Sequence, residues 1–123
     1  MQPDKRDAAY LWDMFDAAKT IETFVAGVLF EQYMRDRKLQ LAVERALEII
    51  GEAARHVSQD FRNAHPEIPW NRIISQRNVL AHEYGEIKQD RIWRVVSLYI
   101  PELIHQLQPL IPRLPTTSDE YNP

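Results

Sequence analysis

Cysteine is absent from the 123 residues, which removes disulfides, thiolate metal sites and cysteine nucleophiles together. No apolar run approaches the roughly 18 residues that a membrane-spanning helix needs. The first ten residues, MQPDKRDAAY, mix acids with bases and lack the apolar stretch of a secretory signal. Glycine is scarce, with three in the chain, so no Gly-rich loop is available to cradle nucleotide phosphates. Strand-like alternation of useful length is missing, as is any internal repeat. A cytoplasmic domain with no membrane association, no metal and no resident cofactor is the expectation. Its 45% hydrophobic content is that of a globular chain, and its length suits one core rather than two.

What is present is helical. Leu11, Met14, Ala18, Ile21, Val25 and Val28 recur at three- and four-residue steps and predict a helix from Asp4 to about Val28. Leu29 to Met34 reads as a turn or a short helix. Leu39, Val43, Ala46, Ile50, Ala53 and Val57 make the clearest stripe, with Glu44, Arg45, Glu48 and Glu52 facing elsewhere. Gly51 interrupts that run of good helix formers at a cost of roughly 1 kcal/mol, and close approach of a neighbouring helix is the usual reason. Two prolines in His65-Pro66-Glu67-Ile68-Pro69-Trp70 break the chain. A third helix begins at Pro69 or Trp70, runs through Ala81 and stops near Gly85. A fourth starts at about Gln89 on the stripe Ile92, Val96, Tyr99, Leu103, Leu107 and Leu110, kinked by Pro101. The fold class is therefore all-α: an antiparallel bundle of four main helices plus short helical segments over residues 1–114, with a flexible tail at 115–123. Trp12, Trp70 and Trp93 are expected as core anchors, and His56, His65 and His105 at the surface or at helix ends.

Charge is uneven. The net value of −3 does not mark a nucleic-acid binder. Residues 1–60 carry eight Lys/Arg against eleven Asp/Glu, whereas residues 70–94 carry five against three. That modest basic stretch surrounds Arg77-Asn78-Val79-Leu80-Ala81-His82-Glu83-Tyr84-Gly85, which gathers a permanent cation, an amide, an imidazole and a phenol at a helix end. Cleaving RNA without a metal needs a base for the ribose 2′-hydroxyl, an acid for the leaving 5′-oxygen and a cation for the phosphate. Histidine titrates in the right range for the proton transfers, and the arginine fork suits phosphate. Asn78 can fix the imidazole tautomer or donate to a phosphate oxygen.

Spacing complicates that picture. Asn78 and His82 are four apart and share a helical face. Arg77 and His82 are five apart, about 140° around an ideal helix. They converge if Arg77 reaches round, if the helix deforms near Gly85, or if a second subunit completes the site. A homodimer would also supply a second histidine. The same residues could instead hydrogen-bond to neighbouring helices and do no chemistry.

Arg77 to Tyr84 resembles the R-x4-H-x-Y motif of HepT-like toxins in the HEPN superfamily. Pro69-Trp70-Asn71-Arg72-Ile73-Ile74 and Ala46-Leu47-Glu48-Ile49-Ile50-Gly51-Glu52-Ala53-Ala54 are similar to the surroundings of that motif, and the likeness spans about residues 4–112. The resemblance implies an HEPN-type homodimer with a composite active site, the toxin component of a type II toxin–antitoxin system acting as a metal-independent endoribonuclease on RNA. It implies catalytic roles for Arg77 and His82 with Asn78 supporting them. Tyr84 would be the residue that a cognate minimal nucleotidyltransferase antitoxin modifies by AMPylation. The alternative is a non-catalytic HEPN module that binds a nucleotide or a partner.

Metal readings fail on spacing. His82-Glu83-Tyr84-Gly85-Glu86 lacks the second histidine of a zinc protease motif. Glu102-Leu103-Ile104-His105 is one Glu-x-x-His where a di-iron bundle has two.

Overall fold

The computed structural model describes residues 3–82 and 87–111. Among them every regular element is helical. Helix α1 (Lys5–Val25) opens where the Asp4 carboxylate accepts the Asp7 backbone N–H at 2.7 Å, satisfying one of the free donors of the first turn. Leu11, Met14, Ala18 and Ile21 are fully buried along it. The helix ends three residues earlier than the stripe predicts, because Gly27 turns the chain at φ 74°, a conformation natural to glycine. Trp12 is not a core anchor: it lies on the outer face, 40% exposed. Trp70 is buried, and Trp93 is half-buried with its ring 5.1 Å from that of Tyr33.

The Leu29–Met34 segment contains a short helix, α2 (Phe30–Arg35), which buries Tyr33 completely. Helix α3 (Arg37–His56) is capped by the Asp36 carboxylate on the Leu39 N–H at 3.0 Å. Val43, Ala46, Ile50 and Ala53 face inward as the spacing predicts. Glu44 departs from expectation. It is buried, and its Oε2 accepts from Gln89 Nε2 at 2.6 Å and from Arg37 Nη1 at 3.3 Å. Partners from another helix and from the first turn of its own make that burial tolerable.

A short helix unmarked by periodicity, α4 (Gln59–Ala64), follows Ser58, whose hydroxyl caps it through the Phe61 N–H. Its Phe61 is fully buried. The buried Asp7 carboxylate accepts from both Ser58 N–H (2.8 Å) and Ser58 Oγ (2.6 Å), pinning the first turn of α1 to this junction. Helix α5 (Trp70–His82) begins directly after Pro69, as expected. The Trp70 indole donates to the His65 carbonyl at 2.9 Å and anchors that start.

The last helix is interrupted rather than simply kinked. It comprises α6 (Gln89–Arg94), a π-helical turn (Val95–Tyr99), α7 (Ile100–Leu107) and a 3₁₀ turn (Gln108–Leu110). Pro101 has no N–H, and its ring crowds the carbonyl four residues back. The wider turn just before it, closed by the Ile100 N–H on the Val95 carbonyl, relieves that conflict. The extra residue also shifts the stripe. Ile92, Val96, Ile100, Leu103 and Leu107 are buried, so Ile100 takes the inward place predicted for Tyr99, and Tyr99 is turned out, 39% exposed.

Helix α3 is the central element, packed against α1 on one side and α5 on the other, and α7 closes over α1. The chain is thus the all-α bundle that the sequence predicts. No described helix is long and apolar enough to cross a membrane. The expected tail at 115–123 lies outside the described residues.

Candidate active site

Gly51 determines where Arg77 sits. A Cβ built on Gly51 would overlap the Arg77 Cβ, and would stand 2.9 Å from Arg77 Cγ and 3.1 Å from the Ile73 carbonyl oxygen. The helices α3 and α5 therefore cross backbone against backbone at this glycine, the close approach expected of it. The crossing puts Arg77 beside Glu52, the next residue on α3. Arg77 Nη2 lies 3.1 Å from Glu52 Oε2. The approach is ionic rather than directed, since Oε2 is enclosed yet forms no hydrogen bond.

Glu52 is a hub that sequence reading overlooked. Its Oε1 accepts from Arg55 Nη2 at 2.9 Å and stands 3.1 Å from His56 Nε2. The Arg55 hydrogen bond, above all, holds the Glu52 carboxyl below its ordinary value of 4.5. Partial desolvation opposes it, while His56 and the charge of Arg77 add to it. The His56 ring stacks on Tyr10 at 5.1 Å. Tyr10, Asp13, Arg45, Glu48 and Arg77 help to line a hollow of about 350 Å³ at this crossing. The one signal in the sequence was the glycine before Glu52, which marks a close approach without naming its partner.

Arg77 also reaches the other way. Its Nη1 donates to Asn78 Oδ1 at 3.2 Å. Asn78 and His82 are both exposed, and His82 is the last residue of α5. Helix α5 stays α-helical to that end, so Arg77 and His82 keep their wide angular separation, and among the described residues no hydrogen bond joins them. Arg77 turns toward the face of His82 and stops at Asn78. The guanidinium bridges from Glu52 on α3 to Asn78, one turn below His82 on the same face. Tyr84 and Gly85 lie outside the described residues. The histidines set aside by sequence fall as expected, with His56 and His105 exposed and His65 capping α4.

Sequence comparison gives this arrangement a family. The profile of the family described as "Ribonuclease HepT-like" matches residues 14–110, a span that includes Glu52, Arg77, Asn78, His82 and Tyr84. The chain belongs to the HepT-like ribonuclease family. It is 43% identical over 94 residues to a protein of Thermococcus cleftensis named "Probable ribonuclease HepT", covering 76% of this chain and 86% of that one. It is 33% identical over 105 residues to a candidate RNase of Methanocaldococcus jannaschii, covering 85% and 96% of the two chains. A candidate RNase of Caldanaerobacter subterraneus is 34% identical over 107 residues, with 87% of this chain and 96% of that one covered. No solved structure matches the chain.

Proposed function

We propose that the protein is a metal-independent endoribonuclease, a cytoplasmic toxin whose active site is built from Arg77, Asn78 and His82 and completed in a homodimer. The observation that carries this reading is the placement of Arg77 at the Gly51 crossing, bridged to Asn78 on the face that ends in the exposed His82. Relatives named as ribonucleases support it. In the reaction, the ribose 2′-oxygen attacks the adjacent phosphorus and the bond to the 5′-oxygen breaks. The products are a 2′,3′-cyclic phosphate and a 5′-hydroxyl. His82 transfers the proton, and Arg77 with Asn78 stabilises the extra charge on the phosphoryl oxygens. One imidazole per chain serves as base or acid, and a second copy of α5 supplies the other.

Control follows from Tyr84. Its phenol oxygen, attacking the α-phosphate of ATP on a cognate nucleotidyltransferase antitoxin with release of pyrophosphate, gains an AMP group. That anionic bulk, two residues from His82, would screen the cationic site and exclude RNA.

The test is cleavage of end-labelled RNA in EDTA by the native chain beside His82→Ala. Cutting by the native chain alone, with cyclic-phosphate ends, is the expected result. The Arg77–Glu52 ion pair favours the rival reading, a non-catalytic module in which Arg77 serves only packing. No cutting by verified unmodified dimer would overturn the nuclease reading in favour of that rival. Dimers re-formed from an equal mixture of native and His82→Ala chains report on the composite site. If each site needs an imidazole from both subunits, the mixed dimers are inactive and about a quarter of native activity remains, whereas sites that use one histidine each keep about half.

A further inference from the structure

A different edge of α5 opens into a groove of about 520 Å³ against the π-turn and α7. Its floor is apolar, with the buried Ile50, Ile100 and Leu103 and the half-buried Ile73. Arg72, Arg91 and Arg94 also line it, all three exposed. Among the described residues none of these arginines forms an ion pair. The Arg72 guanidinium carbon instead lies 5.2 Å from the centroid of the Tyr99 ring. Two carboxylates share the groove, Glu67 and Glu102, and the first stands 3.5 Å from His65 Nδ1. Three cations against two acids leave a positive balance in a chain that is acidic overall.

The π-turn makes this groove what it is. Without the extra residue, Tyr99 would occupy the inward stripe; with it, the ring stands at the rim beside Arg72. Single π-turns set into α-helices frequently occur at functional sites. A partly exposed aromatic ring, guanidinium groups and an apolar floor together fit a base and its phosphates better than they fit a purely acidic ligand. The groove and the His82 face lie about 120° apart around α5. Gln76, on the groove's α5 wall, precedes His82 by six residues, about 9 Å along the helix.

We infer that this groove is a substrate subsite for single-stranded RNA, taking a nucleotide of the strand away from the cleaved bond as the chain passes around α5. This rests on the ribonuclease reading. The unstacked base lies on Tyr99 and the apolar floor, and Arg91 and Arg94 hold the neighbouring phosphates.

The test is fluorescence anisotropy with a labelled single-stranded RNA, using His82→Ala as the parent so that binding is read without cutting. In that parent, Arg91→Ala with Arg94→Ala weakens binding at least about tenfold and lowers the slope of log affinity against log salt by about 1.4. Tyr99→Ala weakens binding on the order of ten- to a hundredfold and leaves the salt slope alone. All three positions are exposed, so thermal melting should show each variant folded. If the parent binds RNA and the variants bind equally well, the groove assignment falls while the ribonuclease reading stands. If the folded, dimeric parent binds no RNA, both fall. If the variants turn a dimer into a monomer by light scattering, the groove is a seam between two copies of the chain, and the subsite is overturned.

Discussion

Replacing Gly51 with alanine sets two effects against each other. A mid-helix Gly to Ala change favours the helix by about 1 kcal/mol. Against it, the new methyl would overlap Arg77 Cβ and stand 2.9 Å from Arg77 Cγ, where carbon–carbon contact is comfortable only from about 3.5 Å. No rotamer change relieves this, because a Cβ is fixed to its backbone. Helix α5 must retreat by at least roughly 0.6 Å at Cγ and further at Cβ, and the Ile73 carbonyl 3.1 Å away moves with it. Overpacking of this kind costs about 1–3 kcal/mol, and an overlap that only backbone movement can relieve belongs at the upper end. After the helix gain, Gly51→Ala should lose about 1–2 kcal/mol, a fall of roughly 4–8 °C in Tm for a chain of this size. Urea unfolding followed by circular dichroism measures it. Arg77→Gly removes the overlapping Cβ, so the pair should couple favourably by about 1 kcal/mol or more in a double-mutant cycle. A Gly51→Ala chain as stable as the native one, or no coupling with Arg77→Gly, refutes the tight crossing. Displacing Arg77 by even part of an ångström should also slow RNA cleavage sharply.

The Asp7 carboxylate holds both the N–H and the hydroxyl of Ser58, so Asp7→Ala should cost about 1–3 kcal/mol in urea unfolding; a loss below about 0.5 kcal/mol would deny that junction any stabilising part. Tyr33→Phe removes a 2.7 Å bond to Gln89 from a fully buried hydroxyl and should cost about 1 kcal/mol, with a loosened Gln89–Glu44 contact visible in NMR shifts. The Glu52 carboxyl is held below 4.5 in the fold, so its contribution to stability is complete above pH 4.5 and disappears as pH falls through the lowered value. Acid unfolding below pH 4.5 should therefore be steeper for the native chain than for Glu52→Gln, and identical curves would show that the carboxylate is not held.

The parts of this fold that were legible in the sequence are those fixed by local chemistry. The stripe of α3 announced itself because five of its apolar positions, at steps of three and four, face one core. The start of α5 was legible because a proline is well placed at a helix entrance, where its missing N–H costs nothing. Parts decided by distant partners were hidden. Nothing near Glu44 indicates that Gln89, forty-five residues on, accompanies it into the core. Nothing distinguishes Trp12 from Trp70 until it is known which side of α1 meets α3. The six residues of α4 are too few for a periodic signal, and Ser58 alone marks its start. Pro101 was visible as a disturbance, but whether a helix answers proline by bending or by admitting an extra residue depends on which side chain the core accepts at the next turn. Here it accepted Ile100 and released Tyr99.

An arginine committed to an ion pair looks like a poor ligand for a phosphate, and at Arg77 the arithmetic of donors and charges removes that objection. Guanidinium has five N–H donors. Glu52 takes an undirected contact and Asn78 accepts one bond, which leaves most of the fork unspent. Glu52 is itself divided among Arg55, His56 and Arg77, so its single charge cannot neutralise them all. The Arg77 and Glu52 side chains are 26% and 41% exposed, and such a half-solvated pair is worth about 0–1 kcal/mol. A phosphodiester meeting the same guanidinium with charge-assisted, paired hydrogen bonds competes on better terms. The ion pair is strong enough to fix the direction of a long, rotamer-rich side chain and too weak to keep it from a phosphate. On the proposed reading, Asn78 would direct that phosphate, because it holds one end of the fork and shares a helical face with His82.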